Sequence, residues 1–155
     1  MKARTYLLGG LILILGAIQL VPNELPAVQN TNPADISNTG LLDEGMHQTL
    51  KNSCYDCHSN ETSYPWYSYV APLSWLVAKD VREGREELNF SHWADYDMME
   101  KLKKLDDIAI EVAEGEMPME VYTVIHSGAK LNPEQIQEIV TWAENAMDIV
   151  AEEEE

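Results

Sequence analysis

Both cysteines of this 155-residue chain lie in "SCYDCHSNET", residues 53–62, three positions apart, with His58 directly behind the second. Whatever fold forms must bring Cys54, Cys57 and His58 into one tight segment. Three chemistries use such a cluster: a covalent haem, a redox dithiol, or half of a zinc site. Cys-x-x-Cys-His is the attachment pattern of a c-type haem. Two thiols one loop apart can add to the two vinyl groups of one porphyrin edge, and the adjacent imidazole then sits under the iron as proximal ligand. A dithiol site would open a helix in a βαβ context, whereas this motif follows a helical stretch in a chain without alternating strand patterns. A structural zinc site would need two more ligands at a recognisable spacing, and His47, His92 and His126 are scattered. The haem reading leads.

Four segments read as helix. The first runs from about Asn38 to Ser53, with Leu41, Leu42, Met46 and Leu50 on one face. The second, "APLSWLVAKDVREGREEL", starts near Pro72, where proline suits a first helical turn. The third covers about Asp97 to Glu114, with Met98, Leu102, Leu105, Ala109 and Val112 inward and Gly115 placed to end it. In "LNPEQIQEIVTWAENAM", Asn132 is an N-cap, Pro133 takes the first helical position and Gln135 completes a capping box. Ile136, Ile139, Val140, Ala143 and Met147 then form one apolar stripe, with Trp142 at its edge. The expectation is an all-α domain of several short helices, residues 38–148, and an acidic tail over 149–155.

The N-terminus reads as an export signal or an uncleaved membrane anchor, residues 1–21. Lys2 and Arg4 precede an apolar stretch from Tyr6 to Val21 broken only by Gln19. As a helix that stretch would span roughly 24 Å, short of a hydrocarbon core of about 30 Å, yet no good small-x-small cleavage site follows. The positive flank places residues 1–5 in the cytoplasm and the domain outside, on the periplasmic side of the inner membrane. Residues 22–37, "PNELPAVQNTNPADIS", read as a polar linker. Ten basic residues face twenty-seven acidic ones, a formal net charge of −17. Such a surface repels nucleic acid and anionic head groups and suits a basic partner protein.

A haem raises the question of its far side. A methionine sulfur commonly serves there in electron-carrying c-type haems and raises the potential. Met117, in "GEMPME", follows a helix-ending glycine and precedes Pro118, which restrains it away from α geometry. Met119 and His126 are the alternatives. The aromatic stretch "SYPWYSYVAPLSW" could wall the porphyrin through Tyr64, Trp66 and Tyr67, or simply stabilise a loop. Arg82 and Arg85 are candidates to pair with haem propionates, against ordinary helical pairing with neighbouring glutamates.

The segments "CYDCHSNETSYPWYSYVAPLSWLVAKDVREGREELNFSHW" and "GEMPMEVYTVIHSGAKLNPEQIQEIVTWA" resemble the small exported haem-binding domain of bacteria, related to class I cytochromes c. The resemblance covers about Leu41 to Ala146. It implies a cytochrome c-like helical bundle around one covalent haem c, with Cys54 and Cys57 as thioether anchors, His58 as proximal ligand and Met117 opposite. Here the loop reads Met-Pro-Met where the family pattern has Met-Pro-Pro, which keeps Met119 in contention. The expected role is single-electron transfer with a redox partner of basic face, not catalysis. A gas or redox sensor with a labile sixth ligand is the alternative, and a peroxidase-like variant would need His126 as distal base.

Overall fold

The computed structural model describes residues 2–152, and seven α-helices and four short 3₁₀ turns, with no strand, make up their regular structure. The helices are α1 (Lys2–Ile18), α2 (Glu44–Ser53), α3 (Tyr55–His58), α4 (Leu73–Glu87), α5 (Met98–Glu114), α6 (Glu120–Ile125) and α7 (Pro133–Glu152). The all-α expectation holds.

The two longest helices of the domain form where their ends are chemically marked. Asp97 accepts from the Glu100 N–H at 2.8 Å while the Glu100 carboxylate accepts from the Asp97 N–H at 3.0 Å, a complete capping box at the start of α5. Gly115 closes α5 at φ 77°, a left-handed conformation that glycine adopts without steric cost. At α7 the Asn132 side chain accepts from Glu134 and Gln135, and Gln135 accepts in return from the Asn132 N–H. These helices pack on each other through Leu105, Ile108, Ala109 and Val112 of α5 and Ile139, Ala143, Ala146 and Val150 of α7. The alanines allow close approach of the two backbones, and Leu50, Phe90 and Trp93 complete the core. The Trp142 indole N–H donates to the Leu41 carbonyl at 2.8 Å, tying the edge of the stripe to the segment before α2.

Three expectations need correction. The first helix starts at Glu44 rather than near Asn38, because Asp43 caps it by accepting from the Met46 N–H at 2.7 Å. Leu41 and Leu42 still pack on the core, but from a loop. Residues 22–37 are not a free linker. Ile36 is fully buried in the core, and the buried Asp35 carboxylate accepts from the Tyr55 hydroxyl at 3.0 Å and from Ser37. Arg82 and Arg85 donate to the Glu24 and Ala27 carbonyls at 3.1 and 2.8 Å, the Tyr64 hydroxyl donates to Pro26, and the Gln29 N–H to Asn60. The segment is a strap laid across α4 and the loop after the cysteine motif. At the other end, Val150 is buried, so α7 carries the core two residues past the expected boundary at 148. The last three residues of the expected tail, 153–155, lie outside the described residues.

Helix α1 stands apart from that core with most of its apolar side chains exposed. Among the described residues no helix is long and apolar enough to cross a membrane.

Candidate functional site

Cys54 to His58 form the junction of α2 and the single turn α3. The chain leaves α2 with the Cys54 N–H still bonded to the Leu50 carbonyl, and the Cys57 and His58 N–H groups then bond back to the Cys54 carbonyl at 3.1 and 2.9 Å. That turn packs on α4 at Gly84. A Cβ at Gly84 would come within 2.9 Å of the Cys57 carbonyl oxygen and 3.2 Å of its Cβ. Gly84→Ala gains about 1 kcal/mol of helix propensity but displaces packed backbone at a cost of about 1–3 kcal/mol. A net destabilisation is expected, read as a lower Tm; a Tm equal to or above wild type would overturn the close contact between α4 and the cysteine turn.

His58 is held by α4. Its Nδ1 lies 2.8 Å from the Gly84 carbonyl and 3.2 Å from that of Leu88. Carbonyls only accept, so Nδ1 carries the proton, and the Nε2 lone pair is the one free to bind a metal. Burial pushes the His58 pKa down, outweighing the two backbone hydrogen bonds that favour its charged form. A neutral imidazole with its tautomer fixed by a backbone carbonyl is what an iron-ligating histidine needs.

Both cysteines are unpaired and half-buried. Burial, with Cys57 as the lesser cause, pushes the Cys54 thiol up to about 12, and burial followed by Asp56 and Asp80 pushes Cys57 up to about 11. A redox dithiol works through a depressed thiol pKa, so these neutral thiols disfavour that reading. Among the described residues no group of three or more His, Cys, Asp or Glu is placed to hold a metal ion.

Two adjoining clefts share Cys54, His58, Glu87 and Met117 in their walls. The larger, about 410 Å³, has an apolar floor of Leu50, Leu88, Phe90, Ile108, Val112 and Ile139. The smaller, about 180 Å³, adds Cys57, Met119 and Tyr122, with Asp80, Glu83 and Glu87 along one edge. Thiols, one oriented imidazole, a thioether and a greasy floor around one space fit a porphyrin with an iron at its centre.

The other expected site residues distribute unevenly. Met117 borders both clefts and its N–H is held by the Glu111 carbonyl at 3.1 Å. Of these two clefts Met119 borders the smaller, and it also lines a third groove. His126 lines that third groove, about 110 Å³, which His58 does not border. Its Nε2 is 2.5 Å from the Tyr67 hydroxyl, and its ring stacks on Tyr122 at 4.4 Å. Tyr64 and Tyr67 line that same groove. Trp66 lines none of the three and meets Tyr67 edge-on. Arg82 and Arg85 border neither cleft that holds His58, because their guanidinium groups are spent on the strap and, for Arg85, on Thr62. The buried Arg85 Nε has no hydrogen-bond partner.

Sequence reasoning passed over Lys103 and Lys104, the basic side chains that border the larger cleft. Lys104 Nζ donates to the Glu87 carbonyl at 2.7 Å and lies over the Tyr96 ring, and Lys103 pairs with Asp107 at 3.0 Å. The only signal was their rarity in an acidic chain. Tyr122 was missed as well: its hydroxyl donates to Asp56 at 2.7 Å, linking α6 to the cysteine turn.

No curated protein and no solved structure matches this chain. The family model described as "Haem-binding domain" matches residues 13–145, which take in the strap, the cysteine turn, both clefts and most of α7. The chain belongs to the haem-binding domain family.

Proposed function

We propose that this chain is an exported mono-haem c-type protein, tethered at the periplasmic side of the inner membrane by residues 1–21, that binds its haem covalently and passes single electrons rather than catalysing a reaction. The observation that carries the reading is His58. Its Nδ1 proton is pinned to the Gly84 carbonyl beside two neutral thiols, and Met117 borders the same clefts. When bound, the haem supplies an iron that changes oxidation state by one electron.

The chain's own residues do the rest. Cys54 and Cys57 would supply the sulfurs for two thioethers. His58 would offer the iron one nitrogen and Met117 one sulfur, a ligand pair that suits one-electron chemistry. Leu50, Phe90, Ile108 and Val112 exclude water, which favours the less charged state of the centre. Lys103 and Lys104 border the larger cleft and would reach propionate carboxylates by exchanging their bonds to Asp107 and the Glu87 carbonyl. Asp80, Glu83 and Glu87 give the smaller cleft an acidic edge, which supports a redox partner with a basic face and an association rate that falls as salt rises.

The test is the full-length chain matured in a host that attaches c-type haems. Wild type is expected to keep its colour through acid-acetone extraction and to titrate as a single one-electron couple. The double variant Cys54→Ser, Cys57→Ser is expected to lose all extraction-resistant haem. Extractable haem in the wild type would sink covalent attachment. Ready binding of carbon monoxide by the reduced wild type would move the reading to a sensor with a labile sixth ligand.

A further inference from the structure

We infer that the domain rests one face, built from three charge-free stretches of the chain, on the bilayer surface, so that the haem domain is seated on the membrane rather than swinging from it. The inference builds on the proposed tether and adds a surface to it.

Charge marks the face. In a chain of net charge −17, residues 63–78 and 121–129 contain no Asp, Glu, Lys or Arg, nor do residues 5–23. The fold brings all three stretches together. Tyr64, Tyr67, Leu73 and Leu76 of the first stretch and Val121 and Ile125 of the second line one groove, which Asp56, taken by the Tyr122 hydroxyl, and Asp80 also border; Leu73, Leu76, Val121 and Ile125 are exposed. The end of α1 joins them through Gln19, whose Nε2 donates to the Ala71 carbonyl and whose Oε1 accepts from the Ala71 N–H, both at 3.0 Å. The Asn23 side chain donates to the Ser74 carbonyl at 2.9 Å, and Tyr69 shares a surface recess with residues 19–23.

Length then decides where this face must lie. A helix of 17 residues spans about 25 Å, less than a hydrocarbon core of about 30 Å. If α1 occupies the membrane, its C-terminal end cannot stand clear of the interface. Whatever Gln19 is bonded to is drawn into the head-group zone with it. The residues found there suit that zone: Trp66 and Tyr69 are 76% and 67% exposed, and Val124 is 76% exposed. Tryptophan and tyrosine concentrate at the membrane–water boundary, and exposed aliphatic patches mark surfaces that water does not cover in the working state. The three stretches themselves carry no acid, and their exposed aromatic and aliphatic side chains, continuous with the tether, select lipid as the occupant. Elsewhere the acidic surface is repelled by lipid phosphates in anionic membranes, so the expected surface is zwitterionic lipid.

The full-length holoprotein is reconstituted into phosphatidylcholine vesicles with bromine-labelled acyl chains, and tryptophan fluorescence is compared with that in unlabelled vesicles. Haem quenching is common to both samples and cancels. Bromine quenching is expected in the wild type and should fall at least twofold in Trp66→Phe. Vesicles made rich in phosphatidylglycerol should weaken it. A chain that floats with the vesicles and resists alkaline extraction but shows no Trp66-dependent quenching would overturn the seated face and leave the tether standing. A chain that fails to float would overturn both.

Discussion

His58→Ala is expected to abolish the low-spin haem spectrum of the matured full-length chain, and imidazole added to the purified variant is expected to restore it. Losing even an outer partner of a metal ligand typically costs about 10–100-fold in metal affinity, and in the proposed function His58 is the ligand itself. Haem per mole of protein should therefore fall at least about tenfold unless the thioethers retain it. In that case the iron is left high-spin and open. Unfolding is not expected to mimic this result. When the imidazole goes, the Gly84 carbonyl still accepts from the Leu88 N–H at 2.9 Å, while the Leu88 carbonyl loses its contact with Nδ1 at 3.2 Å. The structural cost is that of one buried acceptor losing its donor, about 1–3 kcal/mol. Circular dichroism and a thermal melt of the variant separate the two effects. A His58→Ala protein that keeps its low-spin spectrum without added imidazole would remove His58 from the iron.

Much of this site was legible because it is local. Cys54, Cys57 and His58 fall within five residues, and a motif that closes on itself in one helical turn needs no knowledge of the fold. The same holds for α5 and α7, whose starts and the end of α5 are written in capping residues within three positions of each boundary. What stayed hidden depends on partners far along the chain. Residues 22–37 have the composition of a spacer, and nothing local says that Asp35 meets Tyr55 and Ser91 or that Arg85 reaches back to Ala27. With those arginines withdrawn to the strap, the basic groups of the larger cleft come from α5, on a face that periodicity assigns to solvent. The turn α3 and the helix α6 are four and six residues long, too short for a 3.6-residue period to register. His126 shows the opposite limit. Its residue type suits an iron ligand, but only the fold puts its Nε2 against Tyr67 in a groove that His58 does not border.

Met117→Ala is expected to convert the reduced protein from one indifferent to carbon monoxide into one that binds it fully, and to lower the reduction potential. It should also remove the sulfur-to-iron charge-transfer band of the oxidised form. The direction of the potential shift follows from the ligand. Thioether sulfur favours ferrous iron, and axial ligands as a class command a range of roughly 0.8 V. The neighbouring methionine supplies the control. Met119 borders the smaller cleft with His58, but also the groove with His126 and Tyr67, and it serves as the N-cap of α6. Met117 borders both clefts that hold His58, packs against the core and has its backbone fixed on Glu111. A pinned backbone presents a side chain at low entropic cost, which is what a weak thioether ligand requires. Met119→Ala is accordingly expected to leave the charge-transfer band in place and carbon monoxide excluded. If the two variants exchange these phenotypes, the sixth ligand is Met119. If both keep the band, the ligand is neither methionine. Loss of the band in Met117→Ala without carbon monoxide binding would mean that another side chain closes on the iron when the sulfur leaves. Met119, one residue past Pro118 and also bordering the smaller cleft, is the first candidate to test.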